Sequence, residues 1–141
     1  WGRPQHDGPA LRALSGFDVI SSNLSIPFDE ERLSRSILLD LDHVSTHLED
    51  PGFDLWEEVK ARSHFFTVLV QKCALQRGAR FYSSSFSERS ERYFDRSEFL
   101  KNQLLPRFWD KDLGYIVSTL DRVGPGLPKE SNLDSSVVLA S

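Results

Sequence analysis

Residues Leu33, Ile37, Leu41, Val44 and Leu48 fall at spacings of four, four, three and four, and this row constrains the fold more than any other feature of the sequence. Such spacing aligns side chains along one face of an α-helix. A helix with one apolar face must bury it against another element, so the chain has to fold as a packed helical assembly. Asp29 stands where an N-cap belongs, and Glu30 and Glu31 suit the positive end of the first turn. Asp50-Pro51-Gly52 stops the helix, which is expected to run to about Glu49.

Other segments extend this pattern. Pro9 to Ile20 reads as a helix, with Pro9 at a first helical position. A third helix runs from a Ser63 cap through about Phe81, with Phe66, Val70, Cys73 and Arg77 on one side. A fourth spans Glu91 to Phe108, and Pro106 ends or kinks it. A last helix begins at Asn132 or Asp134. Phe53 to Arg62 reads as irregular, Gly114 to Leu120 as extended, and Ser83-Ser84-Ser85 and Gly124 to Pro128 as loops. The expectation is an all-α fold with four or five helices and at most a short strand.

Composition narrows the function. A net charge of −4 argues against nucleic acid, whose binders carry a basic stripe. No apolar stretch is long enough to span a membrane. Cys73 is the one cysteine, so no internal disulfide forms, and it reads as a small buried filler. His43 and His47 are four apart on a helix, but no third ligand accompanies them, so neither a metal nor a cofactor is expected. Arg89, Arg92 and Arg96 alternate with Glu88, Glu91, Asp95 and Glu98 and read as an exposed charged helix face. The chain has no methionine, opens on Trp1-Gly2-Arg3-Pro4 and closes on an apolar run. Residues 1–141 are therefore expected to be one partial domain, cut at both ends.

The chemistry concentrates between two helices. Asp54, Glu57 and Glu58 lie within five residues, with Trp56 among them. Glycoside hydrolysis needs two carboxyl groups, one to protonate the leaving oxygen and one to activate water or attack the sugar. An indole wall raises a neighbouring carboxyl's pKa by disfavouring its charged form, and flat rings stack on sugar faces. Spacing alone leaves a solvated acidic loop as the alternative.

The twelve residues Trp1-Gly2-Arg3-Pro4-Gln5-His6-Asp7-Gly8-Pro9-Ala10-Leu11-Arg12 closely resemble a motif of the glucoamylases. Gly52-Phe53-Asp54-Leu55-Trp56-Glu57-Glu58-Val59 resembles that family's active-site signature. Arg107-Phe108-Trp109, Gly114 to Leu120 and Asn132-Leu133-Asp134-Ser135 are similar to its yeast-type branch. The resemblance implies part of an (α/α)6 barrel. It also implies inverting, exo-acting release of β-D-glucose from the non-reducing ends of starch, glycogen or maltooligosaccharides. It makes Glu57 the general acid. Asp54 becomes the adjacent carboxylate, a tuning group or the base, while Trp1, Trp56 and Glu58 become substrate-binding residues. Arg3 and Asp7 are expected to pair and shape their loop. The partner implied is an α-glucan, with no nucleic acid or membrane, and a full-length monomer that is secreted or vacuolar. The family's base lies beyond this segment, so the 141 residues alone are expected to be inactive. One departure matters: Lys60-Ala61-Arg62 stands where the family usually has Asn-Gly. An altered turn there leaves a second reading, a catalytically dead α-glucan-binding or interaction protein on the same scaffold.

Overall fold

The computed structural model describes residues 3–22, 29–124 and 133–139. Four longer helices form the body: α1 (Gly8–Ser21), α2 (Glu30–Thr46), α3 (Phe65–Phe81) and α4 (Ser87–Phe99). A short α5 (Ser135–Leu139) follows. Helix α3 is central and packs against α1, α2, α4 and α5. Asp29 caps α2 as expected, its carboxylate accepting the Arg32 N–H at 2.9 Å. Ile37, Leu41 and Val44 are buried beneath it, joined by Phe17, Leu75, Tyr93, Leu100 and Phe108 in one continuous core.

Close helix contact decides which face of α3 is buried. Its buried residues are Thr67, Val68, Gln71, Ala74, Leu75, Gly78 and Ala79. The expected side of Phe66, Val70, Cys73 and Arg77 is half-buried instead. Small residues win because they let backbones approach. A Cβ built on Gly78 would stand 2.5 Å from Leu41 Cδ1. Helix α4 ends at Phe99 and opens into a π turn (Leu100–Leu104) and a 3₁₀ turn (Leu105–Phe108). Pro106 accounts for this, since it lacks an N–H and its ring crowds the preceding turn.

The charged face of α4 is not simply solvated. Arg92 and Arg89 both pair with Asp42 of α2, Arg89 at 3.3 Å, and the buried Tyr93 hydroxyl donates to the same carboxylate at 2.7 Å. Burial first, then the hydrogen bond to Asp42, push the Tyr93 pKa upward. On α1, Arg12 forms a two-pronged pair with Asp40, with bonds of 2.5 and 3.2 Å.

Extended chain is more abundant than the sequence suggested. β1 (Gly52–Phe53), β2 (Lys60–His64) and β5 (Thr119–Arg122) form an antiparallel sheet in the order β1-β2-β5. β3 (Trp109–Asp110) and β4 (Tyr115–Ile116) form a two-stranded ribbon. Much of the stretch Phe53 to Arg62 is thus a hairpin, with Gly52 opposite Ala61 and Phe53 opposite Lys60. Ser63 lies within β2 and does not cap α3. His64 precedes α3 without a side-chain cap bond. The strands are two to five residues long, too short for a clear alternation, and β2 takes its second partner, β5, from a distant part of the chain, so local periodicity could not reveal the sheet. Residues 125–128 of the expected loop lie outside the described residues.

Candidate active site

Six residues, Asp54 to Val59, link β1 to β2 and carry all three clustered acids. The Asp54 N–H donates to Val59 O at 3.0 Å, and the Glu57 N–H to Asp54 O at 3.0 Å. The buried Asp54 carboxylate works inside this loop. Its Oδ1 accepts the Glu58 N–H at 2.7 Å and the Val59 N–H at 3.0 Å. Asp suits the position because its short side chain reaches backbone donors a few residues ahead.

Glu57 occupies the tip. Its side chain is exposed, and its φ of 58° is left-handed. That conformation costs a non-glycine residue roughly 1–2 kcal/mol. Such strain persists where surrounding contacts over-determine the backbone, a situation common at reactive sites.

Those contacts come from the opposite end of the chain. Arg3 donates to the Glu57 carbonyl and lies 5.4 Å from the Phe53 ring centre. Gln5 Nε2 reaches the Asp54 and Leu55 carbonyls at 3.1 and 3.3 Å. The Phe53 N–H donates to Pro4 O at 2.7 Å, which runs residues 3–6 alongside the hairpin. Gly52 allows this approach, since a Cβ there would stand 2.5 Å from His6 Cδ2 and 3.1 Å from Pro4 O. The expected Arg3–Asp7 ion pair is therefore absent. Arg3 is committed to the hairpin, and Asp7 is buried with Oδ1 lacking a hydrogen-bond partner.

Behind the hairpin, buried His64 bridges strands, with Nε2 3.1 Å from Gly52 O and Nδ1 3.1 Å from Thr119 Oγ1. Gln71 of α3 donates to His6 O at 3.1 Å. The His6, His43 and His47 rings follow one another with centroid distances of 6.5 and 4.2 Å. Partial desolvation, then the neighbouring His47 and His6, lower the His43 pKa although much of its surface is open to solvent. Among the described residues, no group of three or more His, Cys, Asp or Glu is placed to hold a metal ion. Among them too, no helix is long and apolar enough to cross a membrane.

Trp56 is 46% exposed beside Glu57, and its indole N–H donates to Asp134 Oδ1 at 2.8 Å. Glu58 is half-buried. The structure thus brings Asp54, Trp56, Glu57 and Glu58 into one loop, while Trp1 lies outside the described residues. Lys60-Ala61-Arg62 is not a turn. It lies in β2, where Ala61 is fully buried and pairs with both Gly52 and Arg122. Sequence reasoning missed Gln5 and Asp134 as supports. The sequence signals for Gln5 and Asp134 were their places inside the first and last motifs.

The chain is a member of the glycosyl hydrolases family 15, whose model matches residues 1–141. A probable glucoamylase of Schizosaccharomyces pombe is 34% identical over 100% of this chain and 31% of its own length. Glucoamylase-1 of Schizophyllum commune is 35% identical over 100% of this chain and 23% of its own. The solved glucoamylase of Saccharomycopsis fibuligera superposes with a TM-score of 0.70 at 33% identity, covering 84% of this chain and 28% of that one. The helices are thus part of an (α/α)6 barrel, and the chain spans less than a third of the length of these relatives.

Proposed function

We propose that this chain, within its full-length protein, supplies the acid half of an exo-acting, inverting glucoamylase. The reaction is removal of terminal α-1,4-linked glucose, and more slowly α-1,6-linked glucose, from starch, glycogen or maltooligosaccharides, with release of β-D-glucose. One observation carries the reading: Glu57 is exposed at the tip of a hairpin whose backbone is held in a strained conformation from several directions. That arrangement fixes the backbone from which the Glu57 carboxyl is presented to a bound substrate.

In this reading Glu57 protonates the departing glycosidic oxygen. Inversion needs a second carboxylate roughly 6.5–9.5 Å away, with room for water between the two. Asp54 is a poor candidate for that role, because its Oδ1 is occupied by two backbone N–H groups. It acts instead as the group that shapes the loop, and the base comes from outside residues 1–141. Trp56 and Glu58 flank the acid and face the sugar, with Trp1 as a further sugar-contacting residue. The Lys60–Arg62 departure, which motivated a non-catalytic reading, continues a paired strand and leaves the six-residue loop its own hydrogen bonds. This supports the catalytic reading.

The test is Glu57→Gln in the full-length protein. Removing the transferable proton should lower kcat for maltotriose by at least about a hundredfold while leaving maltooligosaccharide binding within about threefold. Glucose release at the wild-type rate would refute the assignment.

A further inference from the structure

We propose that Asp134 is a positioning residue for the acid hairpin, acting through the Trp56 indole. The inference rests on the glucoamylase reading of Glu57. Arg3 and Gln5 hold the loop by its main chain, at the carbonyls of residues 54, 55 and 57. Those ties come from one segment and add to the loop's own bonds to Asp54. The Trp56 side chain supplies a further anchor from elsewhere: its N–H donates to Asp134 Oδ1 at 2.8 Å, across 78 residues of chain.

Asp134 is itself held. The same Oδ1 accepts the Ser136 N–H at 2.8 Å, and the Asp134 carbonyl accepts the Val137 N–H at 3.1 Å. These bonds set the carboxylate at the start of α5, which packs on α3 with Ser136 buried. Helix α3 begins where β2 ends. Asp134 and the base of the hairpin therefore share one rigid reference, and the indole closes the frame beside Glu57. An indole N–H donating to a carboxylate is a charge-assisted bond, short and directional. Without it Trp56 is free to swing, and Glu57 moves with the adjacent backbone. A displacement of about 1 Å at a reacting group can cost up to about a hundredfold in rate.

The test uses the full-length protein and steady-state hydrolysis of maltotriose. Asp134→Ala should lower kcat about tenfold, with KM changed less than about threefold. Asp134→Asn should recover most of the rate, because its amide oxygen still accepts the indole N–H. Trp56→Phe keeps an aromatic ring and leaves the Asp134–Ser136 bond intact, so it separates positioning from helix capping. It should lose kcat as Asp134→Ala does, and the double variant should be no slower than Trp56→Phe alone. Multiplying losses, or a Trp56→Phe variant with wild-type kcat, would overturn this inference and leave the glucoamylase reading standing. A wild-type protein that releases no glucose would overturn both.

Discussion

Replacing Asp54 with alanine removes the acceptor that closes the acid loop, and the cost can be worked from its two bonds. The Val59 N–H is buried, since Val59 is 2% exposed, so losing its partner leaves an unsatisfied donor worth roughly 1–3 kcal/mol. The Glu58 N–H is half-buried and water replaces part of its bond, which lowers that contribution to about 1 kcal/mol. The sum, about 3 kcal/mol, corresponds to roughly a hundredfold rise in local opening. Hydrogen exchange of the full-length protein reads it directly, as a fall of that size in protection at the Glu58 and Val59 amides, with helix α2 unchanged. Asp54→Asn retains the accepting oxygen and should lose only about tenfold or less, reflecting the missing charge assistance. If Asp54→Ala leaves both amides within about threefold of wild type, the carboxylate does not hold this loop. If Asn is as damaging as Ala, charge rather than the turn is at stake. The comparison also bears on chemistry, since a base at Asp54 would make Asn inactive with the loop intact.

Two further outcomes are expected. The first is a dependence on pH. Folding lowers the His43 pKa below 6.5, through desolvation and the nearby His47 and His6, with Arg12 adding and Asp40 opposing. Above 6.5 both folded and unfolded chains hold a neutral ring. Below it the unfolded chain binds the proton first, so stability falls as pH drops through 6.5. The melting temperature should decline from about pH 7.5 to 5.5, and His43→Gln should make that decline shallower; equal slopes would contradict the assignment. The second concerns Gly78→Ala, which gains roughly 1 kcal/mol of helix propensity but forces a Cβ to 2.5 Å from the fully buried Leu41. Overpacking costs about 1–3 kcal/mol, so a net loss near 1 kcal/mol should appear as a lower denaturation midpoint. A gain in stability would mean that α2 and α3 can move apart freely.

The helices were legible because their signals are local. Asp29 reads as a cap, and the Leu33-to-Val44 row as a buried face, from neighbours within one or two turns. The acid loop was legible as a cluster of residue types, and as a motif through resemblance, but not as a shape. Nothing in the residue types near Glu57 announces a left-handed backbone, because Asp54 holds the loop only together with groups from Arg3, Gln5 and Asp134. The α3 face was misread for a related reason. Large apolar residues suggested burial at Phe66 and Val70, whereas the tight crossing with α2 selects Gly78. Likewise Arg89 and Arg92 looked solvated until Asp42 was brought opposite them by helix packing.

The Trp56–Asp134 bond also says something about the order of events when the chain is made. The two residues are 78 positions apart. At roughly 5–20 residues per second, about 4–16 s separate their synthesis. During most of that interval β1 can meet β2, and Arg3 can meet Glu57, while β5 is translated only late in it and α5 only after it. The hairpin therefore exists for seconds as a two-stranded unit with an unpaired edge and an exposed indole, a species only marginally stable alone. The Trp56–Asp134 bond that completes it forms near the end of this segment's translation. Nascent chains stalled before Asp134 should carry the acid loop unfinished.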